Sequence, residues 1–153
     1  MKIALVLHRL VVGFGFALSI GLGAAGPAAA CSCAGNPTAA SLLASSAAVF
    51  TATVTETRKV DQNVSVTTFR ITESFKGPAA GATVKVRHPS GSSAACGVKF
   101  TAGETYTLAA DRAAAKRDGA TLTTTQCSTW MFLPHVGLGE GLIKDMRALH
   151  APP

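Results

Sequence analysis

The sequence lacks several patterns that mark common protein functions. Of its 14 Lys and Arg residues, 12 remain once Lys2 and Arg9 of the leader are removed, against 8 Asp and Glu. These basic residues are scattered and not interleaved with aromatics, so nucleic-acid binding has little support. The acidic residues show no pairing suited to general acid and base catalysis, and the histidines at 88, 135 and 150 are dispersed. We therefore expect neither enzymatic activity nor a cofactor.

The chain also lacks an internal repeat and any sign of two large domains. Its 153 residues are enough for one domain with one hydrophobic core. We divide the sequence into a signal peptide at residues 1–30, one domain at residues 31–133, and a C-terminal tail at residues 134–153 that contains a short helix.

The first thirty residues have the pattern of an export signal. Lys2 and Arg9 lie near the start, an apolar run extends from Leu10 to Leu22, and residues 28–30 are the small alanines that a signal peptidase accepts. We predict cleavage after Ala30 and a secreted protein that begins at Cys31. Two alternatives stay open: residues 10–30 are long enough to remain as a membrane anchor, and a cysteine at the cut site also invites lipidation, which would give a periplasmic or lipid-anchored envelope protein.

All four cysteines follow the predicted cleavage site, at positions 31, 33, 96 and 127. An even number in an exported chain predicts two disulfides. A bond between Cys31 and Cys33 would close a strained ring, and the two other pairings both tie the amino terminus to positions 96 and 127. A zinc site made of the four cysteines is the competing interpretation, but the paired C-x2-C spacing of such sites is absent.

Residue periodicity predicts a mainly β domain with a helix near each end. The first helix begins at Pro37 or Thr38 and runs to Ser46, and the last covers residues 141–149. The predicted strands start near Phe50 and then cover Val64–Phe75, residues 83–88, Thr105–Ala109 and Thr121–Gln126. Five strands of uneven length with flanking helices favour a small closed barrel of the OB type.

Two local features refine this prediction. The apolar residues of the second strand change parity at Thr67-Thr68, which predicts a bulge there. His88 fits a strand position, and we interpret it as a hydrogen-bonded polar neighbour rather than a ligand.

Five motifs, in this order, resemble those of a known family. They are Cys31-Ser32-Cys33, Phe75-Lys76-Gly77-Pro78, the run from Ser92 to Val98, the run from Tyr106 to Ala109, and Cys127 followed by Trp130. Together they resemble the inhibitory domain of the tissue inhibitors of metalloproteinases, within the netrin-like module superfamily, over residues 31–133. The style of the signal peptide suggests a bacterial member.

The resemblance implies an OB-type barrel that inhibits zinc metalloendopeptidases as a monomer, with disulfides joining Cys31 to Cys96 and Cys33 to Cys127. It also implies that the amine and carbonyl of Cys31 chelate the zinc of the target enzyme, and that Ser32 points into the pocket beside that metal. Cys33 and Ala34 would lie along the substrate groove. The adjoining part of the contact ridge would be formed by Ser92, Ser93, Ala94, Ala95 and Cys96.

The sequence departs from the family in four respects. A third disulfide and the second, cysteine-rich domain are absent, Gly35 stands where a proline is common, and the hairpin between the first two strands (Thr57–Asn63) is expected to be short. The alternative function is therefore a netrin-like binding module, which contacts a partner or the cell envelope without inhibiting an enzyme.

Overall fold

A computed structural model of the chain describes residues 31, 33, 35–92, 96–114, 118–129, 132 and 138–150. The predicted signal peptide lies outside the described residues. Within these residues the secondary structure is mainly β with a few short helices, as the periodicity predicts. In chain order the elements are α1 (Ala39–Ser45), β1 (Ala48–Asp61), β2 (Val64–Lys76), β3 (Thr83–Pro89), β4 (Thr105–Arg112), β5 (Leu122–Thr123), α2 (Gln126–Thr129) and α3 (Gly139–His150).

The five strands hydrogen-bond in a closed ring with the order β1-β2-β3-β5-β4. Neighbouring strands are antiparallel, except that β3 and β5 run parallel. Alternate residues of each strand therefore point into the ring, where they exclude water from a common core. The largest side chains of this core are Phe50, Phe69, Ile71, Phe100, Leu108 and Leu122.

The hairpin of β1 and β2 is longer than the sequence prediction, which is wrong on this point. The two strands remain paired as far as Asp61 and Val64, whereas the pairing of β1 with β4 ends at Thr53 and Thr105. Residues 55–59 are exposed, so they lack the apolar alternation from which a strand is predicted. Their backbone pairing with β2 keeps them in the sheet nevertheless.

A register shift lies beside the predicted place, between Phe69 and Thr68, but the extra residue there belongs to β1 and not to β2, where it was predicted; other shifts of this strand pair lie elsewhere along it. The register between the two strands leaves Thr55 as an extra residue of β1, while β2 and β3 keep an unbroken register past Thr67 and Thr68. Thr67 is fully buried and takes a core position because its hydroxyl is hydrogen-bonded to His88. An inward threonine cannot be recognised from apolar periodicity, which explains the wrong prediction.

The fifth strand is shorter than predicted. It comprises only Leu122 and Thr123, and Gln126 begins helix α2 instead of ending the strand. Thr124 follows the strand and makes the last bonds to its neighbours. Its backbone N–H donates to the Arg87 carbonyl of β3 at 2.9 Å, and its hydroxyl donates to the Ala109 carbonyl of β4 at 2.7 Å. The chain then turns, and Cys127 lies in a helix on the side of β4.

Helices α1 and α3 cover one side of the ring. Helix α1 begins at the predicted place, where the Thr38 side chain accepts from the Ser41 N–H at 3.1 Å and the Ser41 side chain accepts from the Thr38 N–H at 3.0 Å. Leu42 of α1 and the fully buried Met146 of α3 share a second core cluster with Phe75. The helix predicted within the C-terminal tail therefore packs on the strand ring. None of the helices among the described residues is long and apolar enough to cross a membrane.

Candidate functional site

Two disulfides attach the N-terminal segment (residues 31–33) to two different parts of the strand ring. Cys31 is bonded to Cys96, with 5.5 Å between their Cα atoms, and Cys33 is bonded to Cys127, with 5.2 Å between theirs. These are the pairings that the family resemblance implies. Because two bonds act on residues only two positions apart, the direction of this segment is fixed along with its position.

Cys96 belongs to the ridge loop (residues 90–97), which connects β3 towards β4 and is closed at its base. The N–H of Val98 donates to the Pro89 carbonyl at 2.8 Å, and the N–H of Gly97 donates to the Ser92 carbonyl at 3.0 Å. A Cβ atom at Gly97 would overlap the backbone of Gly91. The two arms of the loop therefore approach more closely than any larger residue would allow.

The backbone of Cys96 itself adopts a conformation that side chains disfavour. Its φ of 59° lies in the left-handed region, and it is the one residue other than glycine with a positive φ among the described residues. Such a conformation costs about 1 kcal/mol or more and persists where the surroundings enforce it. Here the closed base of the loop and the bond to Cys31 are the constraints that enforce it.

The second anchor, Cys127, sits in a short helix that side-chain hydroxyls hold in place. The Thr129 hydroxyl donates to the carbonyl of Thr125 at 3.2 Å and to that of Gln126 at 3.1 Å. Thr124, three residues before Cys127, is hydrogen-bonded to both β3 and β4 as described above. Cys33 is therefore attached to a part of the chain that is connected to two strands.

Two clefts lie beside the Cys127 anchor. One, of about 410 Å³, is lined by Cys33, Asn36, Leu42 and Cys127 itself. The other, of about 360 Å³, extends from Gly97 of the ridge loop to Gln126 of α2 and is lined in part by aromatic side chains. The surface at the Cys33–Cys127 disulfide is thus concave, and a second cleft lies between the ridge loop and α2.

His88 forms the floor of the ridge loop. Its side chain is 2 % exposed, and its ring meets the Phe100 ring edge to face, with 4.8 Å between centroids. Nδ1 lies 3.2 Å from the Pro89 carbonyl and Nε2 lies 2.8 Å from the Thr67 hydroxyl. The interpretation of His88 as a hydrogen-bonded polar neighbour is confirmed.

The environment of His88 favours its neutral form. Burial lowers the pKa of the imidazole below its ordinary value, and hydrogen bonds to the backbone of Pro89 and Val98 oppose that change only in part. A carbonyl oxygen can only accept, so Nδ1 carries the proton and Nε2 accepts from Thr67. The ring therefore links β2 to the base of the ridge loop as an uncharged group.

The structure brings together the predicted site residues that it describes. Cys31 and Cys33 are half-buried, and Ser92 and Cys96 are exposed, so these two residues of the ridge loop face solvent beside the N-terminal segment. Ser32, Ala34, Ser93, Ala94 and Ala95 lie outside the described residues, and their predicted roles stay predictions. No three His, Cys, Asp or Glu side chains in the described part of the chain are grouped as metal ligands.

Sequence reasoning missed two features of this site. The first is the participation of His88, which the motifs do not include and which only the buried contact with Thr67 reveals. The second is the close approach of Gly97 to Gly91. Gly91 and Gly97, which lie on either side of the loop that carries Cys96, could have indicated this close approach from the sequence, because glycine is the residue that permits close backbone contact.

Comparison of the sequence with protein-family models and with curated proteins identifies no relative. The likeness to the tissue inhibitors of metalloproteinases therefore rests on the motifs, and the argument for a function depends on the geometry of the site.

Proposed function

We propose that the chain, once exported and cleaved after Ala30, inhibits zinc metalloendopeptidases with its N-terminal segment. The observation that carries this proposal is the double attachment of residues 31 and 33 to the ridge loop and to α2. Cleavage would leave the new α-amino group on a residue that is already immobilised, at the edge of an exposed loop. The order of the strand ring, with β3 and β5 parallel, supports the finer proposal that the fold is an OB-type barrel.

The proposed chemistry follows from the open coordination position of a catalytic zinc. Such a zinc has three protein ligands, and a water molecule fills the fourth position. The α-amino nitrogen and the carbonyl oxygen of Cys31 would displace that water and form a chelate ring. No residue precedes Cys31 after cleavage, so the enzyme would find no peptide bond to hydrolyse across its metal.

Deprotonating the amine does not prevent this binding. An α-amino group has a reference pKa of about 7.7 to 8.0, so the neutral form costs on the order of 1 kcal/mol near neutral pH. A bond to zinc is worth considerably more than this. The amine of Cys31 can therefore lose its proton on binding at moderate cost.

Rigidity would decide whether the chelate is tight. A mobile terminus loses affinity because it must be ordered on binding, at about 0.5 to 1.5 kcal/mol for each immobilised side chain. Here the two disulfides, the closed base of the ridge loop and the hydroxyl contacts of α2 order the segment before the enzyme arrives. Ser32 would enter the pocket beside the metal, and its small size would suit many pockets.

The test compares two forms of the protein that differ by one residue. One form begins at Cys31, and the other carries an extra alanine before it; both are purified with intact disulfides and checked by mass spectrometry and thermal unfolding. Titration against a panel of zinc endopeptidases should show inhibition by the first form and none by the second. Equal inhibition by both would refute chelation by the amine.

Three further results of the same experiment are informative. Substituting Ser32→Gly should weaken inhibition of most targets without abolishing it, because the zinc ligands remain. An acylated Cys31 in the natural product would exclude the amine as a ligand. A correctly processed protein that inhibits no member of the panel would favour the alternative, a netrin-like module that binds a partner without inhibiting an enzyme.

A further inference from the structure

A chain of hydrogen bonds runs from the surface of the β1–β2 hairpin to the base of the ridge loop. The hydroxyls of Thr57 and Thr67 lie 2.9 Å apart, and the Thr67 hydroxyl lies 2.8 Å from Nε2 of His88. On the other side of the ring, Nδ1 donates to the carbonyl of Pro89, which also accepts the N–H of Val98. Since Thr57 is exposed, the chain connects solvent with the hydrogen bond that closes the loop.

This chain allows His88 to take up a proton without losing a hydrogen bond. In the neutral state Thr57 donates to Thr67, and Thr67 donates to Nε2. After protonation Nε2 donates to Thr67, which turns its own proton towards Thr57, and Nδ1 keeps its bond to Pro89. The two hydroxyls reverse direction, so the remaining cost of protonation is that of a buried positive charge.

Among the residues that the structure describes, no carboxylate compensates for that charge. The described groups that face the ring are Thr67 from β2, the backbone of Pro89 at the end of β3, and Val98 and Phe100 after the ridge loop. None of them titrates, and no charged side chain contributes to the lowered pKa of His88. A protonated ring can gain water if Pro89, Val98 and Phe100, which contact it, move away.

We propose that His88 is a positioning residue for the inhibitory site: its neutral ring keeps the ridge loop closed, and acidification opens the loop and misplaces the segment bonded to Cys96. The consequence for inhibition depends on the proposed function, whereas the opening of the loop does not.

The direction in which pH changes the stability of the closed loop follows from linkage. An opened loop gives His88 an ordinary pKa of about 6.5, so the open state binds the proton first. The closed loop is fully stable above about pH 6.5, loses stability as the pH falls, and stops losing it below the pKa of the closed state.

Amide hydrogen exchange of the processed, disulfide-bonded protein tests the opening of the loop without any enzyme. The protection factor of the Val98 N–H should fall by up to about tenfold per pH unit below pH 6.5 and then level off. The N–H of Ser46, which donates to the Leu42 carbonyl at the end of α1, can exchange through a local opening of that helix that leaves His88 buried; it serves as the internal control and should show no such fall. A protection factor of Val98 that stays constant from pH 7 to pH 5 would overturn the proposal.

Two variants separate His88 from other titrating groups. His88→Gln should remove the pH dependence at Val98, because the amide does not titrate, whereas His150→Gln at the end of α3 should leave it unchanged. If His88→Gln does not fold, an NMR titration of the wild-type ring gives the same information. Its midpoint should lie below pH 6.5, where the protection factor levels off, and a ring that titrates at its ordinary value would overturn the proposal.

Inhibition provides the last measurement. The inhibition constants of the wild type and His88→Gln are compared between pH 7 and pH 5 against one zinc endopeptidase. Protonation of the Cys31 amine affects both proteins equally, so it cancels in the ratio of the wild-type inhibition constant to that of His88→Gln. As the pH falls, this ratio should rise by up to about tenfold per pH unit. An unchanged ratio despite loop opening would overturn the link to inhibition, and inhibition absent at every pH would overturn the proposed function while leaving the role of His88 in the loop.

Discussion

Replacing one disulfide by two serines tests how far covalent attachment orders the N-terminal segment. The variant pairs are Cys33→Ser with Cys127→Ser, and Cys31→Ser with Cys96→Ser, so that no unpaired thiol remains in either protein. The sequence separations of the two bonds are 65 and 94 residues. Taken separately, closing loops of these lengths would remove about 4.3 and 4.7 kcal/mol of chain entropy from the unfolded state.

The arrangement of the bonds changes this expectation, because each one shortens the loop that the other closes. With the first bond intact, the shortest covalent path from Cys33 to Cys127 runs two residues back to Cys31, across to Cys96, and 31 residues onward. The same path applies when the second bond is intact and the first is removed. A ring of about 33 residues corresponds to about 3.7 kcal/mol, so both single deletions should cost nearly the same.

Equilibrium unfolding in urea measures these losses directly. We expect each deletion to lower the free energy of unfolding by about 3.7 kcal/mol, and removal of both bonds to lower it by about 8 kcal/mol, which is comparable to the whole stability of many domains. Each deletion should also weaken protease inhibition, since the segment must then be ordered on binding. A loss below about 1.5 kcal/mol for either pair would refute the reasoning that the entropy of closing a covalent ring in the unfolded chain dominates the contribution of each disulfide to stability.

Two further predictions concern packing. The Met146 side chain of α3 is fully buried against α1 and the ring, so Met146→Ala should lower the free energy of unfolding by about 2 to 5 kcal/mol. Leu149→Ala, at a side chain that is 58 % exposed, is the control and should change the free energy of unfolding little. Equal losses in the two variants would show that α3 does not pack as described. Gly97→Ala should displace the ridge loop and weaken inhibition strongly, because the new Cβ would lie 2.8 Å from the Gly91 nitrogen. Gly141→Ala, where a Cβ meets nothing within 4 Å, is the control, and inhibition that survives Gly97→Ala intact would contradict the importance of the loop.

Much of the fold could be predicted from periodicity and turn residues. The helix starting near Thr38, the alternation in β3, and the amphipathic pattern of α3 are local signals, and the structure confirms each of them. The failures occurred where polar residues occupy positions that periodicity assigns to apolar ones. Thr67 faces inward because His88 accepts its proton, and the exposed end of β1 remains a strand because β2 supplies its hydrogen bonds.

The candidate site was predicted only in part. The cysteine pairing followed from the resemblance and agrees with the structure. The contact of Gly97 with Gly91 and the location of His88 beneath the loop depend on which segments meet in space. No local pattern contains that information.

The amino-acid sequence was therefore sufficient for the mainly β class, the export signal as a prediction, and the number of strands and their approximate places along the chain. These follow from the chemistry of neighbouring residues, which acts over a few positions of the chain. The burial of an uncharged histidine under the ridge loop and the left-handed backbone at Cys96 emerged only in three dimensions. They depend on contacts between residues far apart in sequence, and such contacts exist only once the whole domain has packed.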